Sequence, residues 1–355
     1  MVKQIPILVP AVPQFEFLKP YLSRIDQSRV YSNFGPLNNE LVVRLSNYLK
    51  IDCKKIVTVS NATLGIQGAI MTIPGYKELN WGLPSWTFTA TASASELSGI
   101  KYKFLDIDSN WRVRSNGDID ALIDVLPFGA GADFDRFQKS IKYVVVDAAA
   151  SFDALKSLRL PNDRPVGVIF SMHATKLLPA GEGGFFVTND TTWANRFRSW
   201  TNFGMNASRN SIEIGTNAKM SEFSCAVGLA SLDCWKDTRI SLLKQRKKVL
   251  DLSQKFSLDS FNYTIDELVT PYWILKFQSA NLKKKLIRIL NSDKISHRNW
   301  WEKGCHQMPA YRHIKHGPLV KTQMAAETSL GLPFHTFLNQ SDWNRIEAAI
   351  RKLFA

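Results

Sequence analysis

A single lysine, Lys176, stands between two short apolar runs in Phe170-Ser-Met-His-Ala-Thr-Lys-Leu-Leu-Pro-Ala-Gly-Glu-Gly-Gly-Phe-Phe-Val-Thr188. The runs, Gly167 to Phe170 and Phe185 to Val187, read as strands. The segment joining them carries Ser171, His173 and Thr175 before the lysine and Gly181-Glu-Gly-Gly184 after it. Small hydroxyl residues, a glycine turn and flanking strands can hold a lysine rigidly and out of water, as an amine that attacks a carbonyl group requires. Taken alone, the spacing fits a surface lysine in a hairpin loop better. The chemical reading needs a cofactor site supplied by the rest of the chain.

Three other places offer parts of one. Tyr143-Val-Val-Val-Asp-Ala-Ala-Ala150 reads as a buried parallel strand with Asp147 at its C-terminal edge, where open α/β sheets bind ligands. For a lone Asp, capping the next turn is an equal reading. Ile56 to Val59 reads as a strand that ends in Ser60-Asn-Ala-Thr63 and runs into a helix from Leu64 to Met71. That order presents free backbone N–H groups and a positive dipole end to an anion, although each of Ser60, Asn61 and Thr63 by itself suits an ordinary helix N-cap. Phe88 follows Pro84-Ser-Trp-Thr at a strand-to-helix junction, a position for a core aromatic or for a ring laid on a planar cofactor.

The elements that must position these groups alternate. Residues 1–35 read as an arm broken by Pro6, Pro10, Pro13 and Pro20, with a helix from Tyr21 to Gln27 and a turn at Ser32-Asn-Phe-Gly-Pro36. Leu41, Val42, Leu45 and Leu49 give helical spacing over Leu37 to Leu49. Strands follow at Leu79 to Gly82 and Tyr102 to Leu105. An Ala/Leu-rich helix ends at Trp235, and a separate cationic helix spans Asp237 to Lys255. From Tyr263 onward the pattern is a smaller α+β unit with a strand at Tyr272 to Phe277 and helices at Leu282 to Leu290 and Asp342 to Phe354. Alternating strands and helices predict an α/β fold with a large domain built on a mostly parallel sheet over residues 1–235, arm included, followed over 236–355 by a connecting helix and a smaller C-terminal α+β domain.

Composition limits the function classes. The 355 residues are 45% hydrophobic and 21% charged, ordinary for a soluble globular chain, and no apolar run is long enough for a membrane span. The N-terminus does not read as a signal peptide, so the expectation is a cytoplasmic protein. Cys53, Cys225, Cys234 and Cys305 show no metal-ligand spacing and read as free thiols; no metal is expected. The net charge of +14 favours anionic partners. Its densest clusters, Lys244-Gln-Arg-Lys-Lys248 and Lys283-Lys-Lys285, fall in helical segments and read as solvated faces, with no nucleic-acid-binding signature beside them.

Taken together, these segments resemble the DegT/DnrJ/EryC1/StrS family of sugar aminotransferases, from Ser32-Asn-Phe-Gly-Pro36 to Leu330-Gly-Leu-Pro-Phe334. Ser171-Met-His-Ala-Thr-Lys-Leu-Leu-Pro-Ala-Gly-Glu-Gly-Gly184 is similar to the family's Ser-Phe-His-x-x-Lys-x-x-x-x-Gly-Glu-Gly-Gly. The resemblance implies the fold-type-I architecture of pyridoxal 5'-phosphate (PLP) transferases, cycling through the pyridoxamine form. It implies that Lys176 holds the cofactor as a Schiff base and moves the proton, a job for an amine that can be neutral near pH 7. It also implies that Asp147 pairs with the pyridine nitrogen, that Phe88 stacks on the ring, and that Ala62, Thr63 and Ser171 bind the phosphate. Asn217, in Gly-Thr-Asn-Ala-Lys-Met-Ser-Glu, matches an asparagine that reaches the phosphate from the partner subunit, which implies a homodimer with shared active sites.

The implied reaction transfers an amino group, with L-glutamate as donor, to a keto-sugar. The keto-sugar is most often a nucleotide-diphosphate-linked 4-keto-6-deoxy sugar, for surface polysaccharide such as O-antigen or for natural products. Substrate candidates are His173, Glu182, Asn202, Lys219, Arg298 and His306, with Asn202 and Lys219 ranked first. Each also suits a structural role. The chain departs from the family at Ala150, where many members have a Gln that packs at the cofactor; at Ala62, for a frequent Gly; and at Leu177, for a frequent Asn. Two other readings keep the fold. Sugar dehydratases carry His in place of the lysine, so Lys176 argues against that class. A non-catalytic binding protein would not need Lys176, Asp147 and the phosphate turn together.

Overall fold

The computed structural model describes residues 3–115, 118–261 and 267–354. In chain order its elements are α1 (Phe15–Ser28), α2 (Pro36–Leu49), β1 (Ile56–Val59), α3 (Ala62–Met71), β2 (Trp81–Pro84), α4 (Thr89–Leu97), β3 (Tyr102–Leu105), β4 (Ala121–Val125), β5 (Tyr143–Asp147), β6 (Val166–Ser171), β7 (Gly184–Thr188), α5 (Thr191–Trp200), α6 (Glu222–Phe256), β8 (Asp259–Ser260), β9 (Trp273–Lys276), α7 (Ala280–Ser292), α8 (Val320–Thr328), β10 (Ser329–Leu332) and α9 (Gln340–Phe354).

Local chemistry sets several of these limits. Pro36 opens α2 with its φ already helical, and Leu37, Leu41, Leu45 and Leu49 recur every four residues to form its buried stripe. The buried Glu222 carboxylate accepts the N–H groups of Leu37 at 2.7 Å and Asn38 at 2.9 Å, an anion placed against the positive end of α2. Asn61 caps α3 by accepting the Leu64 N–H at 2.9 Å. β5 is buried from Val144 to Asp147, as a strand covered on both faces must be.

The larger sheet has the order β1-β7-β6-β5-β4-β2-β3. β7 is antiparallel to both β1 and β6, and the remaining pairs are parallel. Register brings one edge together: Val59 pairs with Gly184, Gly184 with Ser171, and Asp147 with Val125 and Ile169. The C-terminal ends of β1, β4, β5 and β6 therefore meet the start of β7. β8, β9 and β10 form a second, antiparallel sheet. The expected α/β class with a large, mostly parallel sheet is observed.

Some expected boundaries move. α1 starts at Phe15 and runs through Pro20. The missing N–H would have met the carbonyl of Glu16, which lies in the exposed first turn, open to solvent. The strand expected at Leu79 to Gly82 lies at Trp81–Pro84. The two helices expected around Trp235 are one 35-residue helix, α6, because neither Gly nor Pro interrupts the chain there. Tyr263, where the smaller unit was expected to begin, lies outside the described residues. The four cysteines are free. No helix among the described residues is long and apolar enough to cross a membrane.

Candidate active site

The shared sheet edge opens into a cavity of about 670 Å³. Its floor carries Asp147 and the side chains around Lys176; its rim takes in the start of α3, the start of α4 and the Arg298–Trp301 segment. Of the residues singled out in the sequence, Ala62, Thr63, Phe88, Asp147, Ser171, His173, Lys176, Glu182 and Arg298 all line it.

Asp147 is buried at the end of β5. Its Oδ2 accepts the Thr91 hydroxyl at 2.7 Å and its Oδ1 accepts the Ala149 N–H at 3.1 Å. Burial pushes its carboxyl above the ordinary value, and the Thr91 and Ala149 hydrogen bonds and the charge of Lys176 work against that shift. A buried carboxylate facing a cavity is matched by a ligand that brings a proton or a positive charge.

Ala62 and Thr63 are the first two residues of α3, and the N–H groups at a helix start have no partner within the helix. Ala62 adopts no positive φ, in keeping with its replacement of glycine. Ser171 Oγ accepts the His173 N–H at 3.2 Å, which leaves its own proton to give. Gly184 permits this convergence: a Cβ there would lie 2.6 Å from the Phe170 carbonyl oxygen and 3.2 Å from the Ala62 nitrogen. Gly181 turns the chain at φ +77, the left-handed region open to glycine.

Lys176 Nζ donates to the Tyr272 hydroxyl at 2.9 Å. His173 Nδ1 accepts the Thr175 N–H at 3.2 Å and lies 2.9 Å from the Thr175 hydroxyl. The ring proton is thereby assigned to Nε2, which lies 3.7 Å from Glu182 Oε1. Phe88, 58% exposed, projects at the α4 start. Arg298 stacks its guanidinium 4.8 Å over the Trp300 ring. Ala149 and Ala150 give the wall beside Asp147 only methyl groups.

The remaining candidates lie elsewhere in the chain. Lys219 Nζ donates to Asn202 Oδ1 at 2.8 Å and sits 4.7 Å over the Phe203 ring, with its pKa lowered by burial. Asn202 also bridges to Asn217 along the backbone, and Asn217 is exposed. These three form one cluster that does not line the cavity of their own chain. His306 is buried away from it, with Nδ1 2.7 Å from Ser85 Oγ.

Sequence reasoning did not single out Thr91, Tyr272 or Phe128, which support or line the site. Thr91 had a readable signal, its place in the first turn of the helix that follows Phe88. Tyr272 and Phe128 had none.

A family model described as the DegT/DnrJ/EryC1/StrS aminotransferase family matches residues 15–351. A Mycobacterium tuberculosis protein whose name states no activity is 27% identical over 380 aligned residues, covering 99% of this chain and 90% of that protein. The dTDP-4-amino-4,6-dideoxy-D-glucose transaminase of Shigella dysenteriae is 30% identical over 255 residues, 66% of each chain. The crystal structure of DesI, determined in the presence of its TDP-sugar product, superposes with a TM-score of 0.86 at 26% identity, covering 99% of this chain and 93% of that one.

Proposed function

The chain belongs to the DegT/DnrJ/EryC1/StrS aminotransferase family, and from the geometry of its cavity we propose that it uses PLP to aminate a nucleotide-linked keto-sugar. The observation that carries this reading is the convergence of Lys176, Asp147 and the α3 N-terminus on one cavity. The donor set fits the group: an amine for its aldehyde, a buried carboxylate for its pyridinium, and helix N–H groups with a serine hydroxyl for its phosphate. When bound, the cofactor supplies an electron sink for the carbanion formed as a carbon loses its proton.

The protein's own groups do the rest. Asp147 would accept a hydrogen bond from the pyridine nitrogen and help keep that nitrogen protonated. Phe88 covers one face of the ring. The N–H groups of Ala62 and Thr63 and the hydroxyl of Ser171 hold the phosphate. Lys176 would remove and return the proton at the reacting carbon. L-Glutamate serves as amino donor. His173 and Glu182, a donor beside an acceptor on the rim, suit the hydroxyl groups of a sugar. Arg298 offers a cation to an anionic part of the substrate, and the +14 net charge attracts a nucleotide diphosphate.

The Asn217 cluster is assigned to the active site of a partner subunit in a homodimer. Ile212 and Ile214, 65% and 87% exposed on the same segment, are available for burial against a second copy. The division into a large cofactor-binding unit to residue 235 and a small unit beyond it is kept in this reading, with α6 crossing the boundary. The reaction is placed in the cytoplasm, in the synthesis of surface polysaccharide such as O-antigen or of a natural product. The test supplies glutamate and a panel of nucleotide-linked keto-sugars, with mass detection of an amino-sugar. Product from the wild type and none from Lys176→Ala is the expected result. A protein that takes up no PLP overturns the reading.

A further inference from the structure

Lys176 and Tyr272 reach each other from different sheets. Lys176 follows β6 of the larger sheet, and Tyr272 immediately precedes β9 of the smaller one, 96 residues on. The amine donates to the phenol at 2.9 Å and lies 5.5 Å from the ring centroid. A lysine amine on a four-carbon stem samples many directions unless something holds it.

Tyr272 is itself held. Its ring meets Phe128 edge-on at 5.9 Å and 87°, and Trp300 at 4.7 Å and 64°. Phe128 stacks on Trp301 at 4.4 Å and 12°, and it does so from a left-handed backbone at φ 53. A phenylalanine stays in that region only when its surroundings fix it. The Thr270 hydroxyl donates to the Tyr272 carbonyl at 2.8 Å, tying down the turn that leads into β9.

We propose that Tyr272 is a positioning residue for the transamination: its hydroxyl accepts one N–H of Lys176 and holds the amine at the wall of the cavity. An amine attacks a carbonyl or moves a proton from a narrow range of positions, so how Nζ is held sets how often it is productively placed. The inference rests on the assignment of Lys176 as the cofactor lysine.

Tyr272→Phe keeps the ring and its aromatic neighbours and removes only the hydroxyl. Cofactor-free protein is mixed with PLP, and covalent capture at Lys176 is timed by borohydride quenching and peptide mass analysis. The expected result is capture slowed about tenfold, the scale of one lost hydrogen bond, with a melting temperature lowered by no more than about 4 °C. With glutamate, kcat falls by a similar factor while KM is unchanged, because donor binding is untouched. Tyr272→Leu, which also removes the ring packing, lowers the melting temperature and separates the structural contribution. Equal capture rates and equal kcat for wild type and Tyr272→Phe overturn this inference alone. Absence of any adduct at Lys176 in the wild type overturns the cofactor reading and this inference with it.

Discussion

The Thr91 hydroxyl donates to Asp147 Oδ2 at 2.7 Å, and because its one proton is used there, it accepts from Thr87 Oγ1 at 2.8 Å. The start of α4 thus feeds a short chain of hydroxyl donors into the carboxylate at the end of β5. Each donor polarises the next, which strengthens the last bond. The chain opposes the burial that pushes the Asp147 carboxyl upward.

Thr91→Val therefore raises the pKa of Asp147 further. A hydrogen bond to a charged group contributes about 1.5 to 3 kcal/mol, so the acidic limb of the kcat/KM profile is expected about one to two pH units higher. In the proposed reading the ionised carboxylate is the form that meets the pyridinium, so the variant needs a more alkaline solution to reach it. Activity lost near neutral pH returns as the pH rises. A pH profile with an unmoved acidic limb would remove Thr91 from the site.

Much of this arrangement was legible in the chain. β1, β5 and the two strands around Lys176 are rich in β-branched or aromatic residues, and their ends held Asp147, Ser171 and the α3 start. The missed parts depend on distant partners. β4 has Asp124 within five residues, which conceals an apolar strand; that carboxylate is buried against Arg112, another residue the local pattern could not pair with it. Tyr272 reads like any other aromatic at the start of a strand, and only the tertiary fold brings it to Lys176, 96 residues earlier in the chain. The same limit applies to Asn202, Lys219 and Asn217, whose proximity is visible here while their proposed site lies on another copy.

Gly184→Ala tests the close approach of β7 to α3. The added methyl group meets the Phe170 carbonyl and the Ala62 nitrogen, both backbone atoms that cannot rotate aside. Overpacking of this kind costs about 1 to 3 kcal/mol, which urea unfolding measures directly. The displaced α3 start also weakens PLP affinity, read by titration of the cofactor-free protein. Gly99→Ala is the comparison, because nothing lies within 4 Å of a Cβ there; its φ of +67 gives backbone strain without a clash. PLP affinity equal to wild type in Gly184→Ala would contradict the assigned phosphate cradle.

Acid is expected to destabilise the fold through three histidines. Burial is the first cause that holds His297, His306 and His335 below the ordinary value of 6.5; Lys283 adds to it at His297 and His316 at His306. Between each lowered folded pKa and the unfolded value near 6.5, the unfolded chain binds protons that the folded one does not. Stability is therefore complete above that value and is lost as the pH falls below it. Melting temperatures measured from about pH 7 to about pH 5 should decline, and His306→Asn, which retains a partner for Ser85, should decline less steeply. Parallel curves for the two proteins would show that His306 carries no part of the effect.

The proposed sharing of active sites between two subunits gives a quantitative expectation for mixed subunits. Lys176→Ala removes the amine from its own cavity, while Asn217→Ala removes a group assigned to the cavity of the partner. Each variant alone is expected to be nearly inactive. When the two are mixed in equal amounts, dissociated and reassembled, about half of the dimers contain one subunit of each kind. In such a dimer both defects fall in one site and the other site is intact, so activity recovers to about a quarter of wild type. If Asn217 served its own chain instead, both sites of the mixed dimer would be defective and mixing would restore nothing.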